Sequence, residues 1–166
     1  MQKALMLLAG WLLSATVAHA DDNKAQCDLG KGSYMTATVV KGPKFTSGKF
    51  LKGVELSHTH LKVKPDGSND IYDVAIDNVF AQGYEKNSKK VPESLAQIRT
   101  GDKLALCGQL YDDGSKGIHW VHTNCGATPT PQKPNGFIKI IESDGSSDNF
   151  ENVTTYCDLW GKQRKR

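Results

Sequence analysis

Glycine, proline and aspartate cut this chain into short β-branched runs, and that punctuation constrains the fold more than any other feature. Tyr34 to Val40 reads as a first strand, broken at Gly42-Pro43, and the Lys- and Gly-rich stretch from Lys44 to Gly53 reads as a loop. Val54 to Val63 alternates apolar and polar residues, as a second strand should. Pro65-Asp66-Gly67-Ser68 is a strong turn, so Ile71 to Val79 returns as the third strand of a hairpin. Pro92 to Ile98 has proline in its first turn and good helix formers after it, the signature of a short helix ended by Gly101-Asp102. Lys103 to Tyr111 and Ile118 to Thr123 follow as strands four and five around the turn Asp112 to Gly117, and Gly136 to Ile141 adds a further short strand. A mainly β chain in this order, with one short helix between strands three and four, predicts a five-stranded Greek-key barrel of the OB type. An open antiparallel sandwich is the second choice.

The first twenty residues have a different character. Lys3 precedes an apolar run from Ala4 to Leu13, and Val17-Ala18-His19-Ala20 places small residues at the −3 and −1 positions. This is the pattern of a signal peptide over residues 1–20. The apolar run is shorter than the ~20 residues a bilayer-spanning helix needs. The expectation is a periplasmic or secreted protein, free of the membrane once cleaved. Residues 21–33 read as a polar lead-in, 34–142 as the barrel, and 143–166 as a C-terminal extension carrying Cys157 and a basic tail.

All four cysteines fall after the leader, and an even count in an oxidising compartment favours disulfides. Three pairings are open. We expect Cys27 with Cys157, tying the ends of the domain, and Cys107 with Cys125, clipping the loop after the fifth strand to its neighbour. The chain lacks a C-x-x-C pair, which weighs against structural zinc. The 21 Lys and Arg outnumber the 18 Asp and Glu. Lys3 lies in the leader, however, and Lys162, Arg164, Lys165 and Arg166 form the tail. The body is therefore near neutral, which does not favour nucleic acid as a partner.

The densest chemistry lies in Gly117 to Gly126, which holds His119, Trp120, His122, Asn124 and Cys125. In a regular strand His119 and His122 face opposite sides, so their spacing alone does not make a metal site; that would need a bulge or a strand end at His122. His58 and His60 do share a face. If strand two lay beside strand five, His58, His60 and His119 could hold zinc or copper, a weak alternative for want of convergent spacing. A hydrolase is the second: His58 with His119 or His122 as general base and acid in phosphodiester cleavage, with Lys62 or Lys103 facing the developing anion. A binding module without a cofactor leads, with Trp120 and Tyr72 stacking on a sugar or base and Asn124 hydrogen bonding to it. A protein partner in the cell envelope fits that third reading equally. Against all three, Trp120 suits a core position, and Cys125 in a disulfide is a poor nucleophile.

Several strings taken together resemble a bacterial family. They are His58-x-x-Leu61-x-Val63, Tyr72-Asp73-Val74-Ala75, Gly101-Asp102-Lys103-Leu104, Ile118-His119-Trp120-Val121-His122 and Pro134-Asn135-Gly136-Phe137-Ile138. The sequence resembles the domain-of-unknown-function 3465 family of small, mostly exported proteins, which carry an IHWTH-type segment followed by P-D/N-G-W/F-I. The resemblance spans Thr36 to Ile141 and implies an OB-like fold and a candidate site without a reaction. Of His58 and His60, only His58 falls on the family pattern. The chain departs from it at Val121, at Cys107 and Cys125, and in its longer ends.

Overall fold

The computed structural model describes residues 16–160. The leader before Thr16 and the basic tail after Trp160 lie outside the described residues. The chain is mainly β. In order it runs through helix α1 (Thr16–Leu29), strands β1 (Ser33–Leu51), β2 (Val54–Pro65) and β3 (Tyr72–Asp77), a 3-10 turn (Asn78–Phe80), the short helix α2 (Glu93–Ala96), and strands β4 (Lys103–Asp112), β5 (Lys116–His119), β6 (Phe137–Glu142) and β7 (Gly145–Ser146). A last 3-10 turn spans Cys157–Trp160. The seven strands form one sheet in the order β1-β2-β3-β5-β4-β6-β7, and β1 also pairs with β4. All these pairings are antiparallel except β3 with β5.

β1 does not stop at Gly42-Pro43, and the stretch read as a loop is its second half. Its first half, Ser33 to Thr38, pairs with β4, while Ala37 to Leu51 pairs with β2. Three register shifts lie along the β2 pairing, between Val39 and Lys41, Lys41 and Lys44, and Thr46 and Lys49. Bulges bend a strand and raise its twist, which lets one strand serve two partners. Pro43, which has no N–H to give a ladder, sits within one of these shifts, where it costs no pairing. The β1–β2 hairpin closes on Lys52 and Gly53, both with positive φ (48° and 76°), as a two-residue turn between twisted strands requires.

Alternation along each strand sends one set of side chains inward. Ala37, Val39, Leu61, Val63, Val74, Ile76, Leu104, Leu106, Ile118 and Ile138 are buried in one core, joined by Leu95 and Ile98 from the helical segment. The opposite faces of β2 and β3 carry His58, His60, Asp73 and Asp77, all half-buried.

Both ends of the chain are more integrated than their composition suggests. Residues 22–29, read as a loose lead-in, belong to α1, where Cys27 is fully buried and Lys139 donates to Asn23 (3.0 Å) and Gln26 (2.7 Å). Residues 149–153, read as part of an extension, are fastened to three elements. Phe150 N–H donates to Ile138 C=O, Thr123 N–H to Glu151 C=O, and Val153 N–H to Phe80 C=O. Phe150 joins the main core.

The disulfides differ from both expected pairings. Cys27 bonds Cys107, not Cys157, and Cys125 bonds Cys157, not Cys107. Cys107 is fully buried on β4 against α1, while Cys125 lies in the loop after β5 beside the C-terminal turn. The expected pairing took the ends of the chain to meet each other. Instead, each end is fastened separately to a different side of the sheet. Two disulfides fit an oxidising compartment. Among the described residues no helix is long and apolar enough to cross a membrane.

Peptide mapping of the oxidised protein should return Cys27–Cys107 and Cys125–Cys157. Replacing Cys125 and Cys157 together by Ala opens a link between residues 32 apart and should cost about 3–4 kcal/mol by chain entropy. A chemical-denaturation midpoint equal to that of the parent would mean that packing alone holds the C-terminal segment.

Candidate functional site

The β2–β3 hairpin places His58 directly across from Asp77. His58 Nε2 lies 2.7 Å from Asp77 Oδ1, within ion-pair range. The other side of the same carboxylate faces a second imidazole, with His122 Nε2 lying 3.2 Å from Asp77 Oδ2. That contact is within ion-pair range but outside hydrogen-bond geometry, and His122 Nε2 has no other partner. His122 Nδ1 donates to Thr123 C=O at 2.6 Å, which fixes the ring. The ring is 2% exposed and lies flat on Phe80, with centroids 3.9 Å apart and planes at 6°. Trp160 stacks on Phe80 at 5.5 Å.

Backbone conformation brings His122 to this place. β5 ends at His119, and Trp120 adopts φ +58°, a left-handed conformation rare for a bulky residue. The chain thus leaves strand geometry between the two histidines, and the alternation that would set them on opposite faces no longer applies. Gly136 makes room for this turn. A Cβ there would stand 2.3 Å from Trp120 C=O and 2.4 Å from Cys107 C=O. On the β3 side, Asn78 is buried and bonded to Thr59 (2.6 Å) and Ser57 (3.0 Å), which anchors the turn that carries Phe80.

These residues surround a cavity of about 240 Å³. Phe80, Trp120 and Trp160 supply its aromatic walls, His58, Asp77 and His122 its polar side, and Lys133 also lines it. The Cys125–Cys157 disulfide closes one flank. Trp120 Nε1 is buried without a hydrogen-bond partner.

The electrostatics follow from proximity. Burial pushes the Asp77 carboxyl up, but the His122 and His58 rings outweigh it and hold the group well below the usual carboxylate range. The Asp77 hydrogen bond raises His58 against the opposing effect of burial. Burial lowers His119, opposed by the charge of Asp77. Below the cavity, Glu151 is fully buried and both carboxylate oxygens lack partners. Burial first, and then the charge of Asp77, push its carboxyl well above its ordinary value.

The expected site residues do not all come together. His58, His122, Trp120 and Asn124 meet at the cavity. Asn124 also holds its own loop, donating through Nδ2 to Ala127 C=O at 2.8 Å. His119 stands apart from the cavity wall, edge-on to Tyr111 at 5.4 Å. Tyr72 packs against the core and does not reach the cavity. His60 pairs with Asp73 at 2.8 Å and lines a neighbouring groove. The two lysines proposed to face an anion are paired elsewhere, Lys62 with Asp73 (3.1 Å) and Lys103 with Asp66. Among the described residues no group of three or more His, Cys, Asp or Glu is placed to hold a metal ion. His58, His60 and His119 therefore do not converge as a ligand set.

Sequence reading missed Asp77, Phe80, Lys133 and Trp160. Only Asp77 carried a usable signal, because counting back through the Pro65 turn sets it opposite His58. Comparison with family models, with curated proteins and with solved structures finds no match.

Chemically, the carboxylate orients His58. With Nε2 facing Asp77, a neutral His58 that carries its proton there has its other ring nitrogen as a lone-pair base. The His58 pairing stabilises the fold fully below the ordinary histidine value of 6.5 and fades as pH rises through the raised folded value. The Asp77 contribution is present above 3.8 and is lost as pH falls toward the depressed folded value. In an NMR titration His58 should therefore titrate above 6.5, and Asp77→Asn should bring it back down. A His58 midpoint indifferent to that change would break the link between the two groups.

Glu151 has the opposite sign. Its raised folded value means that the native state holds a proton the unfolded chain gives up above 4.5, so stability falls as pH rises from there. Glu151→Gln should flatten that fall and raise the melting temperature at pH 8. A melting temperature lower than the parent's at pH 8 would count against a neutral, unpartnered acid.

Proposed function

We propose that this chain is an exported OB-type barrel, of the kind its resemblance to the domain-of-unknown-function 3465 proteins implies, that binds a ring-bearing ligand in the cell envelope. Support for the barrel comes from pairing. The hydrogen-bonded strands lead from β1 through β2, β3, β5 and β4 back to β1, with β3 parallel to β5. OB barrels take oligosaccharides or oligonucleotides on the outer face around strands two and three, the face that carries His58 and Asp77.

The observation that carries the binding reading is the cavity between Trp120, Phe80 and Trp160. It has flat apolar walls, an unpartnered indole N–H and an oriented imidazole at its polar side. A sugar or a base presents this combination in reverse, with a flat face for stacking and ring-edge groups for hydrogen bonding.

The chain offers a local reporter. It has three tryptophans; Trp11 lies in the leader, and the other two, Trp120 and Trp160, both line the cavity. Indole fluorescence of the chain from Asp21 onward should therefore respond to occupancy of this site alone. A panel of nucleosides and neutral oligosaccharides should include a ligand that gives a saturable change. Trp160→Ala should weaken that ligand roughly 5- to 100-fold, the range expected for ~1–3 kcal/mol of stacking. A flat response across the panel would remove the proposal.

A phosphodiesterase or nuclease is the second reading, and the His58–Asp77 pair favours it. His58 would act as general base, His122 and not His119 as general acid, and Lys133 in place of Lys62 or Lys103 would face the developing anion. The two readings divide on His58→Ala, which abolishes turnover in a hydrolase and leaves binding in a module that only stacks its ligand.

A further inference from the structure

A second groove of about 320 Å³ lies on the outer face of β1–β3, lined by Lys41, Gly42, Lys44, Thr46, His60, Leu61, Lys62 and Asp73. The strand register sets it beside the aromatic cavity. Thr46 pairs with His58, Lys44 with His60 and Lys41 with Lys62. The line from cavity to groove therefore follows alternate residues of β2, with lysines of β1 alongside. His58 and His60 lie with ring centroids 6.2 Å apart, with no residue between them on that face. Four residues of strand from His58 to Lys62 span about 13 Å.

The charge along this line is mostly basic. Its acids are Asp77, set between His58 and His122 at the cavity end, and Asp73, which is in contact with His60 (2.8 Å), Lys62 (3.1 Å) and Tyr111 (3.1 Å). Lys41 and Lys44 are exposed and have no ion pair among the described residues. The β1 bulges fall on either side of Lys41, so the sequence that bends the barrel also turns its lysines out along the groove. The near-neutral total does not show this, because it sums charge over the whole chain and says nothing of where Lys41, Lys44 and Lys62 meet.

We propose that the ligand is a single-stranded nucleic acid, with one base in the aromatic cavity and the neighbouring phosphates over Lys44, Lys41 and Lys62. This inference rests on the cavity reading for the base and adds the chain that follows it. Stacking walls at one end and cations along the next 13 Å or so match alternating bases and phosphates. An acidic polysaccharide would match the lysines but would spread carboxylates where the cavity offers aromatic faces.

The test uses the oxidised protein with tetrathymidylate, thymidine and oligoglucuronate as probes. Tetrathymidylate binding, read by anisotropy, should weaken with salt at a log–log slope of about −1.4 to −2, for two or three phosphates at ~0.7 each. The double variant Lys41→Ala/Lys44→Ala should lose most of that slope and keep the tryptophan response to thymidine. A slope unchanged in the double variant, or oligoglucuronate binding as tightly as tetrathymidylate, overturns the inference. The two readings fail separately. Without a thymidine response but with a lysine-dependent slope, the cavity reading falls and the groove stands. With a thymidine response and no such slope, the groove falls and the cavity stands.

Discussion

β1 is hydrogen-bonded along both edges, and the rest of the molecule depends on that arrangement. A straight strand of its length would run past the sheet and leave donors and acceptors exposed at both ends. Bent at its bulges, it pairs with β4 through its first half and with β2 through most of its length. The inward residues of five strands then face one another around Leu61, Ile76, Leu104 and Ile118. The same bend sets the outer face of β2 beside the lysines of β1. Core and outer groove are two consequences of one irregular strand.

The site shows how a buried charge is kept without a lysine or arginine. Asp77 is held by two imidazoles from opposite directions, one on the neighbouring strand and one on a loop that has left strand geometry. Removing either ring would leave a partly desolvated carboxylate with half its support, the situation that makes such networks sensitive to single changes. Phe80 completes the arrangement by stacking with both His122 and Trp160. The apolar wall and the polar side of the cavity thus share one stack and do not vary independently.

Much of the strand order was legible because alternation and turn residues are local signals. The hairpin from Val54 to Val79, the short helix near Pro92 and the fourth strand from Lys103 all stand close to where their patterns place them. The continuation of β1 past Pro43 was not legible, because a bulge accepts the residues that otherwise end a strand. The end of β5 at His119 was not legible either. A positive φ at a tryptophan is set by Gly136 and the surrounding sheet, not by local propensity. His58, His122 and Trp120 were found from their chemistry, while Asp77 required register and Phe80 and Trp160 required the tertiary path of the chain. The disulfides failed for a related reason. Spacing in sequence says nothing of which side of the sheet each end reaches.

The Cys125–Cys157 bond ties a loop leaving β5 to the turn that carries Trp160, and both border the cavity. The main core is assembled from apolar side chains and does not include this bond. The outer wall of the cavity is assembled from a loop and the C-terminal turn, which pack in a smaller cluster of their own against Val54, Val79 and Phe80. Sheet and cavity wall therefore answer to different conditions: burial of apolar side chains in water suffices for the core, while the covalent link across the wall needs an oxidant.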